Sequence, residues 1–146
     1  MQANSGDFPA LKLYPLNDSF VPKQIVLADR RPVRVGRQMD ATTIPSERNG
    51  YFESKTLSRR HAEIWEEDGR IWIKDVRSSN GTYLNGVRLS PEGVESAPFE
   101  LTTGDQLEFG IDIIGEDGET VIHRKAVARV KSILTEGDLY NFGQPQ

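Results

Sequence analysis

Hydrophobic residues in this chain recur at every second position, and turn residues interrupt the alternation at short intervals. In a β-strand, successive side chains point to opposite faces, so alternate apolar residues line one face. The pattern therefore predicts short strands that each bury one face in a core. The apolar pairs that carry it are Val33 and Val35, Ala62 and Ile64, Ile71 and Ile73, and Leu107 and Phe109.

The segments between the predicted strands are rich in glycine, asparagine, aspartate and proline, which favour tight turns. Asn85-Gly86 stands between the short segments 82–84 and 87–89, and this dipeptide is the strongest short-range signal for a hairpin. No stretch shows a convincing helical period. Many short strands with frequent turns predict an all-β fold, either an antiparallel sandwich or a barrel.

A chain of 146 residues is long enough for one domain with a hydrophobic core. Its ends are polar and contain glycine, so we expect flexible tails at 1–10 and 135–146 around a domain spanning 11–134. An internal segment, 38–57, is polar and has no clear period. Insertions of that length are usually functional or disordered, and this one is a candidate for contacting a ligand.

The composition excludes several kinds of chemistry. The chain has no cysteine and only two histidines, which argues against thiol catalysis, disulfides and a multi-histidine metal site, so we predict no cofactor and no metal. It contains neither an apolar run of about 20 residues nor a signal peptide, so we expect a cytoplasmic domain that does not itself contact a membrane. A net charge of −4 argues against nucleic acid as the partner.

Four short motifs place hydrogen-bond donors next to predicted strand ends: Gly36-Arg37, Ser58-Arg59-Arg60-His61, Ser78-Ser79-Asn80-Gly81-Thr82 and Asn85-Gly86. Together they offer guanidinium, hydroxyl and amide groups but no obvious pair that would activate a nucleophile. Such a set suits a tetrahedral dianion, because a phosphomonoester carries about −1.5 to −2 charge and three strong acceptor oxygens. Arginine suits this role because its planar fork can donate two bonds to one phosphate.

The order and spacing of these motifs resemble the forkhead-associated (FHA) domain, over roughly residues 11–133. The resemblance implies an eleven-stranded antiparallel β-sandwich that binds phosphothreonine in partner proteins through loops at one end, and no enzymatic activity. It implies that Arg37 and Ser58 bind the phosphate, that Arg59 and Ser79 add phosphate contacts, and that Asn80 holds the peptide main chain. The family's structural positions correspond to Gly36, His61, Gly81, Asn85 and Gly86.

A narrower resemblance connects the segments 52–59, 77–83 and 107–112 with the FHA domains of sarcolemmal membrane-associated protein and its fungal relatives. It implies a signalling scaffold in a striatin-containing phosphatase–kinase complex (STRIPAK), with kinase or phosphatase-complex subunits as partners. It also implies a longer parent protein anchored at the endoplasmic reticulum or nuclear envelope. Two alternatives stay open: the FHA module of a Dma-type FHA–RING ubiquitin ligase, and a sandwich that binds an unphosphorylated partner through its sheet face.

Several residues have a second interpretation. Ser58, His61 and Asp75 form a nominal catalytic set, but the chain lacks the Gly-x-Ser-x-Gly elbow that would expose a nucleophile. Trp65 and Trp72 are expected to pack in or over the sandwich, because aromatic residues dominate such cores. Arg30, Arg31 and Arg34 either extend a positive field that steers an anionic peptide or lie on a solvent-exposed face.

Overall fold

The computed structural model describes residues 7–28 and 30–140. The outermost parts of the predicted tails, 1–6 and 141–146, lie outside the described residues, and the division into tails and domain stays a prediction. The described part contains thirteen strands: β1 Ala10–Pro15, β2 Lys23–Val26, β3 Val33–Arg37, β4 Tyr51–Phe52, β5 Ala62–Glu67, β6 Arg70–Asp75, β7 Thr82–Leu84, β8 Val87–Arg88, β9 Phe99–Leu101, β10 Gln106–Phe109, β11 Ile113–Ile114, β12 Val121–His123 and β13 Ala126–Ile133. A short helix, α1 Glu136–Leu139, follows.

Eleven of these strands form two sheets, which confirms the predicted sandwich. The first sheet has the order β2-β1-β13-β10-β7-β8, and the second has the order β4-β3-β5-β6-β9. The remaining two strands, β11 and β12, form a separate hairpin between β10 and β13. One pairing departs from the antiparallel prediction: β3 and β4 are parallel, because the long connection between them returns the chain in the same direction.

The core lies between the two sheets and follows the alternation seen in the sequence. Val35, Ala62, Ile64 and Ile73 are buried on the inner face of the five-stranded sheet, whereas Arg34, between two inward positions, is exposed. The six-stranded sheet contributes further buried side chains: Leu11, Leu13, Ile25, Leu107, Phe109 and Val130. The period of two thus determines which side chains enter the core.

The hairpin predicted at Asn85-Gly86 joins β7 to β8. Tyr83 pairs with Arg88 and Leu84 with Val87, so the loop has two residues. Asn85 and Gly86 have φ values of 51° and 84°. Two positive values are what a type I′ turn requires, and asparagine followed by glycine adopts them with little strain.

The long polar segment is ordered. It contains a 3₁₀ turn, Ala41–Thr43, capped by the side chain of Asp40, and it includes the short strand β4. Lys23 in β2 holds it, since its Nζ donates to the carbonyl oxygens of Ser46 at 2.7 Å and Tyr51 at 2.9 Å. Burial lowers the pKa of Lys23 to about 8.

None of the helices in residues 7–28 and 30–140 is long and apolar enough to cross a lipid bilayer.

Candidate functional site

Three loops meet at one end of the sandwich and bring the sequence-predicted residues together. Arg37 is the last residue of β3, Ser58 precedes β5, and Ser79 and Asn80 connect β6 to β7. The Arg37 amide donates to the Ser58 carbonyl at 3.0 Å, so these two residues are direct neighbours at this end of the sandwich. We call Arg37, Ser58, Arg59, Ser79 and Asn80 the rim.

Gly36 allows this close approach. A Cβ atom at position 36 would lie 2.0 Å from the carbonyl oxygen of Arg59, far inside van der Waals contact. Any side chain there would push the β4–β5 loop away from the end of β3. Gly36 is therefore a packing requirement of the rim and does not need to contact a ligand.

The two rim arginines carry charge that the protein does not neutralise. Arg37 is half-buried and Arg59 is exposed. Within the described part of the chain, neither guanidinium has a hydrogen-bond or ion-pair partner. Each can therefore donate all its N–H groups to an external anion.

Ser58 and Ser79 are linked to each other. The Ser79 amide donates to the Ser58 Oγ at 3.1 Å, which fixes the position of that hydroxyl oxygen. The Ser58 hydroxyl hydrogen has no acceptor among residues 7–28 and 30–140. The hydroxyl can therefore donate to an anion that lies beside Arg37.

Asn80 is held by one of its two amide hydrogens. Its Nδ2 donates to the carbonyl oxygen of Thr56 at 3.0 Å, which ties the β6–β7 loop to the β4–β5 loop. The carbonyl of the same side chain has no partner in the described structure. Asn80 thus has an acceptor and a second N–H donor available at the rim.

His61 lies beneath the rim and is fully buried. Its Nδ1 accepts a hydrogen bond from the Ser58 amide at 3.0 Å, so its Nε2 carries the proton and donates to the Gly81 carbonyl at 2.8 Å. Burial lowers the pKa of His61, with a smaller lowering from the charge of Arg88, and outweighs the opposing effects of the Gly81 hydrogen bond and Asp75. Both ring nitrogens are used by backbone groups, so His61 does not act as a base on the Ser58 hydroxyl.

Asp75 organises a buried polar cluster under the β6–β7 loop. Its carboxylate accepts from the Ser78 amide at 2.8 Å, the Ser78 hydroxyl at 2.5 Å and the Thr82 hydroxyl at 2.8 Å. The Ser78 Oγ in turn accepts from the Gly81 amide at 3.0 Å. From the sequence alone, Asp75 is a candidate only for the nominal catalytic set with Ser58 and His61. Its spacing from Ser78, an acidic residue three positions before a serine in a turn, is the signal that could have indicated this cluster.

Arg88 is a second residue that the sequence analysis missed. Its Nε donates to the Ser90 carbonyl at 2.8 Å and its Nη2 to the Ser79 carbonyl at 3.1 Å. It therefore fixes the β6–β7 loop from the side of β8. No motif marks it, because its acceptors are backbone groups of residues on the same hairpin and the neighbouring loop.

The sequence is similar to several curated proteins. An uncharacterised protein of Schizosaccharomyces pombe is 43% identical over 85% of this chain, human sarcolemmal membrane-associated protein is 35% identical over 84%, and the probable E3 ubiquitin-protein ligase dma1 of S. pombe is 39% identical over 68%. The matched region is a minor part of these proteins, since it covers 41%, 15% and 37% of their lengths.

Solved structures show the same fold. The N-terminal FHA domain of Saccharomyces cerevisiae Rad53p, solved in complex with a phosphothreonine peptide, superposes with a TM-score of 0.56 at 15% identity, over 85% of this chain and 94% of that one. The family model for the FHA domain matches residues 33–110, more than half of the chain, and this range contains all the rim residues. The chain belongs to the FHA domain family.

Proposed function

We propose that this domain binds phosphothreonine-containing segments of partner proteins at the rim. The observation that carries the proposal is the pairing of Arg37, whose guanidinium has no partner within the described residues, with the Ser58 hydroxyl, which the Ser79 amide holds in place. Since Arg37 and Ser58 are joined by a backbone hydrogen bond of 3.0 Å, a single phosphate can contact both side chains.

Each rim residue has a defined part in this interaction. Arg37 supplies the main opposing charge and two parallel donors, and Ser58 donates its hydroxyl hydrogen to a phosphate oxygen. Arg59 and Ser79 add donors at the exposed edge. Asn80, already anchored to Thr56, uses its free amide groups to hold the peptide backbone on either side of the phosphothreonine.

The expected affinity is moderate. Charge-assisted hydrogen bonds contribute about 1.5–3 kcal/mol each. Three or four of them, minus the entropy cost of ordering the peptide, correspond to a dissociation constant in roughly the micromolar range. Binding of this strength is reversed when a phosphatase removes the phosphate, which suits a signalling adaptor.

For the parent protein, we propose a scaffold of the striatin-containing phosphatase–kinase type that binds phosphorylated kinase or phosphatase-complex subunits and is anchored to an endoplasmic reticulum or nuclear envelope membrane. The 35% identity with human sarcolemmal membrane-associated protein over 84% of the chain supports this. The second candidate is the FHA module of a ubiquitin ligase, supported by 39% identity with dma1 over a shorter region. Co-purification of the full-length protein with striatin favours the first candidate, and ubiquitin transfer in vitro favours the second.

A titration with matched peptides tests the binding function. Three peptides of one sequence carry threonine, phosphoserine or phosphothreonine at the central position, and fluorescence anisotropy reports the affinity of each. We expect binding to the phosphothreonine peptide to be about a hundredfold or more stronger than to the threonine peptide, because the latter lacks the charge-assisted bonds. Equal affinity for all three peptides would favour the alternative of a phosphate-independent interaction through a sheet face.

A further inference from the structure

The two tryptophans of the chain lie together on the outer face of the five-stranded sheet. Trp65 in β5 and Trp72 in β6 are direct cross-strand partners. The neighbouring residues Ile64 and Ile73 are fully buried, so the indole rings point away from the core. Both rings are only half-buried. The tryptophans thus pack over the sandwich and are absent from its interior, and they form an outward-facing aromatic surface.

One residue holds both rings in place. The Trp65 Nε1 donates to the Glu67 side chain at 3.2 Å, and the Trp72 Nε1 donates to the Glu67 carbonyl at 3.4 Å. The polar edges of both indoles are therefore satisfied within the protein, and their apolar surfaces remain for other contacts. A surface fixed in this way loses little conformational entropy when a ligand binds.

The rings border an open hollow of about 570 Å³, lined by Trp65, Glu67, Asp68, Arg70, Trp72 and Pro98. This volume lies within the range of roughly 300–1,000 Å³ that ligand sites in proteins occupy. We call it the tryptophan hollow. Arg70 forms an ion pair with Glu100 at 3.9 Å. Asp68, in contrast, has no hydrogen-bond or ion-pair partner within residues 7–28 and 30–140.

Acidic side chains outnumber basic ones around the tryptophan hollow and the hollow beside it, which favours a cationic ligand. Glu66, Glu67 and Asp68 are consecutive acids at the end of β5 and the turn after it, and all three line, together with Arg30, an adjoining hollow of about 370 Å³ that shares Trp65. The protein already places one cation by this surface, since Lys74 Nζ lies 5.9 Å from the centre of the Trp65 ring.

We propose that the tryptophan hollow is a second docking site, which binds an unphosphorylated arginine-containing segment of a partner protein. A guanidinium can stack on the Trp72 ring while it pairs with the Asp68 carboxylate. Arginine is favoured over lysine because its group is planar and more weakly hydrated. A second copy of the domain, docked face to face, would bring identical acidic clusters together, so a symmetric dimer is disfavoured.

This site is separate from the rim. β5 begins at Ala62, next to His61 beneath the rim, and ends at Glu67, beside the tryptophan hollow. At about 3.3 Å per residue, the hollow begins at Trp65, roughly 10 Å along the strand, and reaches Glu67, roughly 16 Å along it. One partner could therefore occupy both sites, and the binding at one site does not require the other.

The fluorescence of the chain gives a direct readout, because both of its tryptophans line this hollow. The probe is an unphosphorylated pentapeptide, blocked at both ends, with two arginines separated by one glycine. Matched probes carry lysine or glutamine instead of arginine. We expect a saturable change in indole emission with the arginine peptide, binding several-fold weaker with the lysine peptide, and no saturable change with the glutamine peptide.

The test variant is Glu67→Gln/Asp68→Asn, which removes two carboxylate charges but keeps an acceptor for the Trp65 indole and a residue that tolerates the positive φ of position 68. We expect this variant to bind the arginine peptide about tenfold more weakly, equivalent to about 1.4 kcal/mol. The control Glu92→Gln/Glu116→Gln removes the same charge from exposed positions elsewhere and is expected to change the affinity less than twofold.

Three results would overturn the proposal: equal responses to arginine and glutamine peptides, equal effects of the test and control variants, or a change of emission with protein concentration alone, which would identify a second copy as the occupant.

The variant Arg37→Ala distinguishes this proposal from the proposed function of the rim. It is expected to leave the emission titration unchanged, and the Glu67→Gln/Asp68→Asn variant is expected to bind the phosphothreonine peptide normally. Loss of the emission response in Arg37→Ala would also overturn the proposal, because it would show that both ligands use the rim.

Discussion

The rim and the polar cluster directly beneath it both consist of hydrogen-bonding side chains, but only those of the cluster have all their partners inside the protein. At the rim, Arg37, Ser58 and Asn80 each keep donors or acceptors that nothing in the described structure satisfies. Beneath it, His61 and Asp75 are buried and bonded on every side, and no buried side-chain polar atom in the described part of the chain lacks a partner. Of these two regions in the described part of the chain, only the exposed rim carries unsatisfied polar groups.

We therefore expect one region to determine folding stability and the other to determine ligand binding. The lower cluster holds the loops and contributes to folding stability, because a buried polar group is costly once its partner is removed. We expect the rim to contribute to ligand affinity and little to stability, because its free groups already face water. Substitutions in the two regions should therefore separate stability from binding.

The largest expected effect is on stability, from Asp75→Ala. The substitution leaves the Ser78 amide and the hydroxyls of Ser78 and Thr82 without their acceptor inside the protein. We expect a loss of about 3–5 kcal/mol in the free energy of unfolding, measured by urea denaturation. Ser132→Ala, which removes a single 3.3 Å bond to the Leu101 carbonyl, is the control and should cost much less. Equal losses for the two variants would contradict the large contribution to stability that we assign to the Asp75 cluster.

The next effect is on binding, from Arg37→Ala. It removes the main opposing charge and two donors, so we expect about a hundredfold or greater loss of phosphothreonine-peptide affinity with an almost unchanged melting temperature. Arg34→Ala on the same strand is the matched control, since Arg34 is exposed on the outer face of the sheet. Wild-type affinity in Arg37→Ala, or an equal loss in Arg34→Ala, would show that the phosphate does not bind at Arg37.

The smallest expected effect is a pH dependence of stability from His61. Its pKa in the folded protein is below the usual value of 6.5, mainly because of burial, so the unfolded chain binds the proton more readily. The contribution of neutral His61 is therefore fully present above pH 6.5 and is lost as the pH falls from there through the folded-state pKa. The slope is at most about 1.4 kcal/mol per pH unit.

Thermal or urea unfolding at several pH values between 7.5 and 5 checks this dependence. His61→Gln is expected to be less stable at pH 7.5, because it loses the bonds to Ser58 and Gly81, and to show a flatter profile below pH 6.5. His123→Gln leaves those bonds intact and serves as the control. If the stability of His61→Gln fell as steeply with decreasing pH as that of the wild type, a group other than His61 would cause the pH dependence.

Much of the sandwich could be predicted because its determinants are local. Alternation sets the buried face of each strand, and this rule correctly placed Ile64 and Ile73 inside. Asn85-Gly86 favours one turn type that fits a two-residue hairpin. The rim residues were identifiable because the family's motifs lie at strand ends, and the structure places Arg37 and Ser58 side by side.

Features that depend on distant contacts could not be predicted. The path of the 38–57 segment depends on Lys23, whose two acceptor carbonyls are 23 and 28 residues away, and nothing in the local sequence indicates that contact. The parallel pairing of β3 with β4 follows from this path. The outer position of Trp65 and Trp72 was equally unclear, because aromatic side chains occur both in cores and on binding surfaces.

The central claim is that Arg37 recognises the phosphate itself, and a double-mutant cycle by calorimetry tests it most directly. Wild type and Arg37→Ala are each titrated with the phosphothreonine peptide and its unphosphorylated counterpart. We predict that Arg37→Ala weakens the binding of the phosphorylated peptide by about 3 kcal/mol and leaves the residual binding of the unphosphorylated peptide unchanged. The coupling energy between Arg37 and the phosphate is then close to the full effect of about 3 kcal/mol. Equal losses for both peptides, and thus no coupling, would contradict the account.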